Sequence, residues 1–186
     1  MGNKTVKRNI FVCLILALST STAVAAPEDN AGTIHFTGEI ITPSCVIVGD
    51  SGTTYNVPLG TYPTSYFTSV GVETDLVPVI ISLSSCPMAS DGLSNVQLTF
   101  NGTTVASTTD KLAVSGAGGI GIVLSEEGHT DTLIKLDKSD GQVFIPLPAV
   151  ASDTISTTLQ ARYKSVSSTI TAGAADADLT INILYR

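Results

Sequence analysis

Tryptophan is absent, and aromatic residues make up only 5% of the 186-residue chain. Lysine and arginine together number nine against sixteen acidic residues. So few cations leave no basic patch of the kind that nucleic-acid binding needs, and little attraction to anionic membrane surfaces. Strong helix formers do not occur in runs. No apolar run reaches the length that spans a bilayer. There is no G-x-S-x-G nucleophile elbow. Three cysteines and two histidines offer little to a metal.

What is present begins with a targeting segment. Lys4, Lys7 and Arg8 precede a short apolar stretch, Ile10 to Leu18, and then Ala23-Val24-Ala25, an A-x-A cleavage site. Residues 1–25 therefore read as a cleaved secretory signal peptide, with the mature chain starting at Ala26. An uncleaved anchor and a lipid attachment at Cys13 are the alternatives; the run is short for the first, and Cys13 lies mid-run without small neighbours. Losing the three leader cations leaves six basic residues against sixteen acidic ones, a net charge of about −10. The remainder suits one domain with a real core. Cleavage also removes Cys13. Cys45 and Cys86, in an oxidising compartment, read as one disulfide rather than two free thiols. Closing that loop of about 40 residues contributes on the order of 4 kcal/mol in the chain-entropy model. His35 and His129 lack the spacing to join the cysteines around a metal.

The mature chain is rich in Thr, Ser, Val, Ile and Gly. Its last ten residues, Ala177 to Arg186, read as one strand: Ala177, Leu179, Ile181, Ile183 and Tyr185 share a face, with Asp178, Thr180 and Asn182 opposite. A second alternating segment lies near the start. Gly32, Ile34 and Phe36 face one way; Thr33, His35 and Thr37 face the other. Between them, Gly32 to Val48 gives two extended pieces about Pro43. Strands are expected at Tyr55–Leu59, Leu76–Leu83, Val96–Phe100, Ile120–Leu124, Thr132–Leu136 and Thr154–Lys164. Turns are expected at 49–52, 87–92 and 137–141. Asn101-Gly102 is a tight-turn signal, and also part of a glycosylation sequon read as that turn. Val143–Val150, with Pro146 and Pro148, suits an edge or connector. Short strands separated by turns argue for an all-β antiparallel sandwich.

Chemical motifs are sparse. Gly116 to Gly121 matches G-x-G-x-x-G, but a strand-like Ile122-Val123-Leu124 follows where a dinucleotide site needs a helix. It reads as a glycine loop. Glu126, Glu127, His129 and Asp131 crowd one solvated loop with no second cluster to complete a metal or acid–base site. With both mature cysteines paired, no thiol nucleophile remains. The chain reads as a non-enzyme without cofactor.

GTIHFTGEIITPSC (Gly32 to Cys45), Cys86 at the end of an apolar strand, QARY (Gln160 to Tyr163) and TAGAADAD leading to a last strand with penultimate Tyr185 resemble, in that order, the chaperone–usher pilins of type 1 and P-type fimbriae. The resemblance spans the mature chain. It implies an incomplete immunoglobulin-like sandwich lacking its last strand, with residues 26–38 as an N-terminal donor-strand extension and 39–186 as the pilin domain. It implies a groove walled by Leu179, Ile181, Ile183 and Tyr185, and a donor strand that inserts Gly32, Ile34 and Phe36 into a neighbour. The partners implied are other pilin subunits, a periplasmic chaperone that grips the Arg186 carboxylate, and an outer-membrane usher, on a route through the periplasm to the cell surface. The other class considered is an exported sugar-binding adhesin or lectin module; one domain with a donor segment favours the fibre subunit. A secreted hydrolase lacks its nucleophile and base.

Overall fold

A computed structural model describes residues 33–38, 40–42, 44–90, 92–150 and 153–186. The leader and its cleavage site, Gly32 and Pro43 lie outside them. The chain divides into two units, Met1–Thr37 and Gly38–Arg186. In the first, the described residues form no secondary structure, and Ile34 and Phe36 are 79% and 86% exposed.

The second unit is all-β apart from one 3-10 turn, Thr64–Tyr66. Its strands are β1 (Val46–Ile47), β2 (Val77–Ser84), β3 (Asn95–Asn101), β4 (Leu112–Ala113), β5 (Ile120–Glu126), β6 (Val143–Pro146), β7 (Ile155–Ser165) and β8 (Thr180–Tyr185). One sheet has the order β1-β2-β7-β5-β4, the other β6-β3-β8, and every pairing is antiparallel. β-Branched and leucine residues at every second position send one face of each strand inward. Ile81 and Leu83 of β2, Leu159 and Ala161 of β7, and Ile122 and Leu124 of β5 meet Val96, Leu98 and Phe100 of β3 and Val143 and Ile145 of β6 in one cluster. The two sheets thus close on a single core, as a sandwich requires.

Several expected elements differ. Tyr55–Leu59 forms no ladder; its apolar side chains pack on the core, and the Tyr55 hydroxyl donates to the Ser82 carbonyl and accepts from the Ser82 N–H. Thr132–Leu136 is also not a strand, retaining one bridge, Ser125 to Leu133. Its alternation serves to bury Ile134 and Leu136 from a loop. Asn101-Gly102 makes no hairpin, because β3 is flanked by β6 and β8 rather than by the next segment. Gly102 instead admits the Leu112 and Leu179 side chains where a Cβ would stand. The short β4 had no periodicity to reveal it. The last strand begins at Thr180, three residues later than its pattern suggests.

Candidate functional site: an open strand edge over an apolar groove

Among the described residues, β8 has a partner on one side only, β3. Arg186 and Asn95 exchange both backbone hydrogen bonds, N–H to O at 2.8 and 2.9 Å. In an antiparallel ladder such pairs alternate with non-bonded ones. From the register Val96–Tyr185, Leu98–Ile183 and Phe100–Ile181, the N–H and C=O groups of Leu184, Asn182 and Thr180 point to β3. Those of Tyr185, Ile183 and Ile181 point away from it, to the open edge. The side chains of these same three residues face the core, yet they stay half-buried, whereas the inward residues of β3 beside them are fully buried. The inner face of β8 is therefore only partly covered.

Beside this edge the two sheets part over a groove of about 570 Å³. Ala177, Leu179 and Ile181 line one wall, Ile47, Tyr55 and Val57 the other, with Phe100, Ile122 and Leu159 beneath. No Lys, Arg or His lines it among the described residues; Asp178 is its one ionisable carboxyl. Such a groove takes an apolar occupant and offers no counter-charge to a buried anion.

Of the expected site residues, Leu179 and Ile181 line the groove. Ile183 lies further along the same strand face, packed on the core. Tyr185 has a different post. Its hydroxyl accepts the Ser44 and Cys45 N–H groups at 3.1 and 3.0 Å, tying the end of β8 to the disulfide segment. Cys45 and Cys86 are bonded, with Cα atoms 4.1 Å apart. Ser85, at φ +57°, turns the chain out of β2 into Cys86. The Arg186 guanidinium donates to Asp140 at 2.7 Å and to Gln97 at 3.3 Å, while its main-chain oxygen accepts from Ser94 and Asn95. Ile34 and Phe36 belong to the first unit.

QARY also holds a device that leaves no periodic trace in the sequence. Arg162, 2% exposed, donates to Glu73, to the Ser125 hydroxyl at 3.0 Å and to the Thr130 carbonyl at 2.7 Å. Lys164 reaches the other Glu73 oxygen at 2.7 Å. Burial opposes ionisation of Glu73, but the hydrogen bonds and charges of Arg162 and Lys164 outweigh it and hold the carboxyl below its ordinary value. The available signal was a lone Arg inside an alternating strand of a cation-poor chain.

A two-sheet antiparallel sandwich whose last strand, among the described residues, is unpartnered along one side above an apolar groove defines the class: an incomplete immunoglobulin-like domain. The fimbrial protein family model matches residues 34–186. A type-1 fimbrial protein subunit of Serratia marcescens is 35% identical over 93% of this chain and 94% of its own length. Among solved structures, the P pilus rod subunit PapA superposes with a TM-score of 0.63 at 22% identity, covering 77% of this chain and 99% of that one. A chain of a chaperone–usher pilus gives 0.60 at 22% identity, over 87% and 100%. The chain belongs to the fimbrial protein family. It is a structural subunit of a fimbria, exported to the cell surface.

Proposed function

We propose that the groove beside β8 accepts a β-strand donated by another subunit, and that this chain in turn donates its own segment around Gly32, Ile34 and Phe36. The observation that carries the reading is the coincidence of two unmet needs at one edge. Among the described residues, the main-chain groups of Ile181, Ile183 and Tyr185 have no strand partner, and the apolar surface below them has no cover. A bare edge of this kind invites aggregation; an added strand answers both needs at once. Ile34 and Phe36 suit the task, being exposed apolar residues at period two with His35 between them. Gly32, two positions before Ile34, brings no side chain to the contact. The chain acts as a fibre-building unit rather than a catalyst, with residues 26–38 as the lent strand and 39–186 as the receiving body. A periplasmic chaperone covers the edge before assembly, engaging β8 and the Arg186 end, and an outer-membrane usher is where the next subunit replaces it.

The test is direct. A fluorescent peptide of residues 26–39 is titrated into the refolded full chain. Saturable binding is expected, and a peptide with the same composition but scrambled alternation should not bind. If the native peptide fails to bind at any concentration reached, the reading is wrong.

A further inference from the structure

The three residues ahead of β8 pose a question. Ala177, Asp178 and Leu179 continue its alternation and line the groove, yet they are not in the ladder. After Asn101, β3 turns away, and the Gly102 N–H bonds to Leu136 rather than toward Leu179. Among the described residues, the main chain of Ala177–Leu179 makes no hydrogen bond on either side. It is a strand sequence with no strand beside it.

This span is nevertheless held at its start. The G-x-G-x-x-G segment forms a glycine strap against residues 171–176. Ser115 N–H donates to Asp176 O at 2.9 Å, and Gly116 and Ala117 N–H both donate to Ala174 O at 2.9 and 2.7 Å. Gly118 and Thr171 exchange bonds at 3.1 and 3.0 Å. The backbones lie so close that a Cβ on Gly173 would stand 2.6 Å from the Gly116 carbonyl carbon, and one on Gly116 would stand 3.0 Å from the Ala174 nitrogen. From the other side the Tyr163 hydroxyl donates to Ala175 O at 3.2 Å. Burial and then the Asp176 charge push that phenol above its ordinary value, so it stays a donor.

We infer that the accepting edge is longer than β8, beginning at Ala177, and that the glycine strap holds this unpaired span in position for the donated strand. The inference rests on the strand-acceptance reading above. Anchored at Asp176 by the strap and from Thr180 onward by β3, the span has few conformations left to lose when a partner arrives. Pre-organisation of this kind raises affinity by lowering the ordering cost of binding. Gly116, Gly118 and Gly173 are then positioning residues, and the small side chains of this motif serve strand placement.

Residue-resolved amide hydrogen exchange on the full chain, with and without the 26–39 peptide, tests this. Bound peptide should slow exchange at Ile181 and Ile183, and also at Ala177 and Leu179, by at least about tenfold. Gly173→Ala should lose the protection at 177 and 179, keep it at 181 and 183, and bind the peptide about tenfold more weakly. Gly116→Ala, whose contact is looser, should do the same to a smaller degree, and serves if Gly173→Ala does not fold. Protection at 181 and 183 alone in the wild type would overturn the longer edge. Undiminished protection at 177 and 179 in the strap variants would overturn the role of the strap. Absence of protection anywhere would instead refute strand acceptance itself.

Discussion

Replacing Phe36 in the donated segment offers a prediction whose size can be worked out. Phe36 is 86% exposed and Ile34 79% exposed, so nearly all the apolar area of each is available for burial in a neighbour. Full burial of such a side chain contributes about 1.5–3 kcal/mol. Phe36→Ala forfeits most of that, which weakens binding by about ten- to hundredfold. Phe36→Asp is worse, because a carboxylate would enter a groove with no cation in its lining; its desolvation adds several kcal/mol. Affinity at neutral pH should fall by more than about a thousandfold. The sign of the pH effect follows. The bound carboxyl has its pKa raised above the value in the free peptide, about 3.9. Its binding penalty therefore shrinks as pH falls toward that value, and affinity partly recovers. His35→Asp, on the opposite face, should change affinity less than about threefold. Competition against the labelled native peptide measures all three. If Phe36→Asp competed within threefold of the native sequence, or if the His35 variant were the more damaging, the inward assignment of Phe36 would be refuted.

Three further predictions concern the body that presents the groove. Arg162→Ala leaves Glu73 with Lys164 alone and strips partners from Ser125 and Thr130, so unfolding stability should fall by about 3–5 kcal/mol in chemical denaturation, with little change in m-value. Glu73 has a depressed pKa, so its contribution is present above its ordinary value of 4.5 and lost as pH falls below it. Glu73→Gln should accordingly flatten the acid limb of a stability-versus-pH profile while lowering stability at pH 7. Removing the disulfide by Cys45→Ala with Cys86→Ala should cost on the order of 4 kcal/mol. It should also loosen the Ser44–Cys45 anchor on Tyr185, seen as faster exchange at those two amides.

What the sequence made legible follows from which forces act locally. β3 and β7 were readable because alternation is the direct imprint of a face buried against the other sheet; β2 and β5 were readable as short continuous apolar runs, and in β5 Val123 is buried as well as Ile122 and Leu124. Tyr55–Leu59 and Thr132–Leu136 carry the same imprint without a ladder. Apolar periodicity reports which side chains are covered, and it is silent on whether a neighbour supplies hydrogen bonds. Ala177–Leu179 is the sharpest case, for its pattern is that of a strand and, among the described residues, only the partner is missing. Asn101-Gly102 misled because a glycine can serve close approach as well as turning; Leu112 and Leu179 occupy the space that its absent side chain leaves. The disulfide was legible from cysteine arithmetic alone. The link from Tyr185 to Cys45, the Arg162 network and the strap between residues 115–119 and 171–176 were not, since each joins segments distant in the chain through contacts that leave no periodic trace.

Donation of the missing strand by a second molecule, as proposed, has a direct thermodynamic signature. Calorimetry of the purified chain lacking residues 1–25, with sedimentation over a range of concentrations, reads it out. Strand donation between molecules should give a weakly stable species that self-associates as concentration rises. Excess 26–39 peptide should convert it into a discrete monomer, with a melting temperature that climbs with peptide concentration as ligand linkage requires. A monomer at every concentration, with a melting temperature indifferent to the peptide, would contradict it.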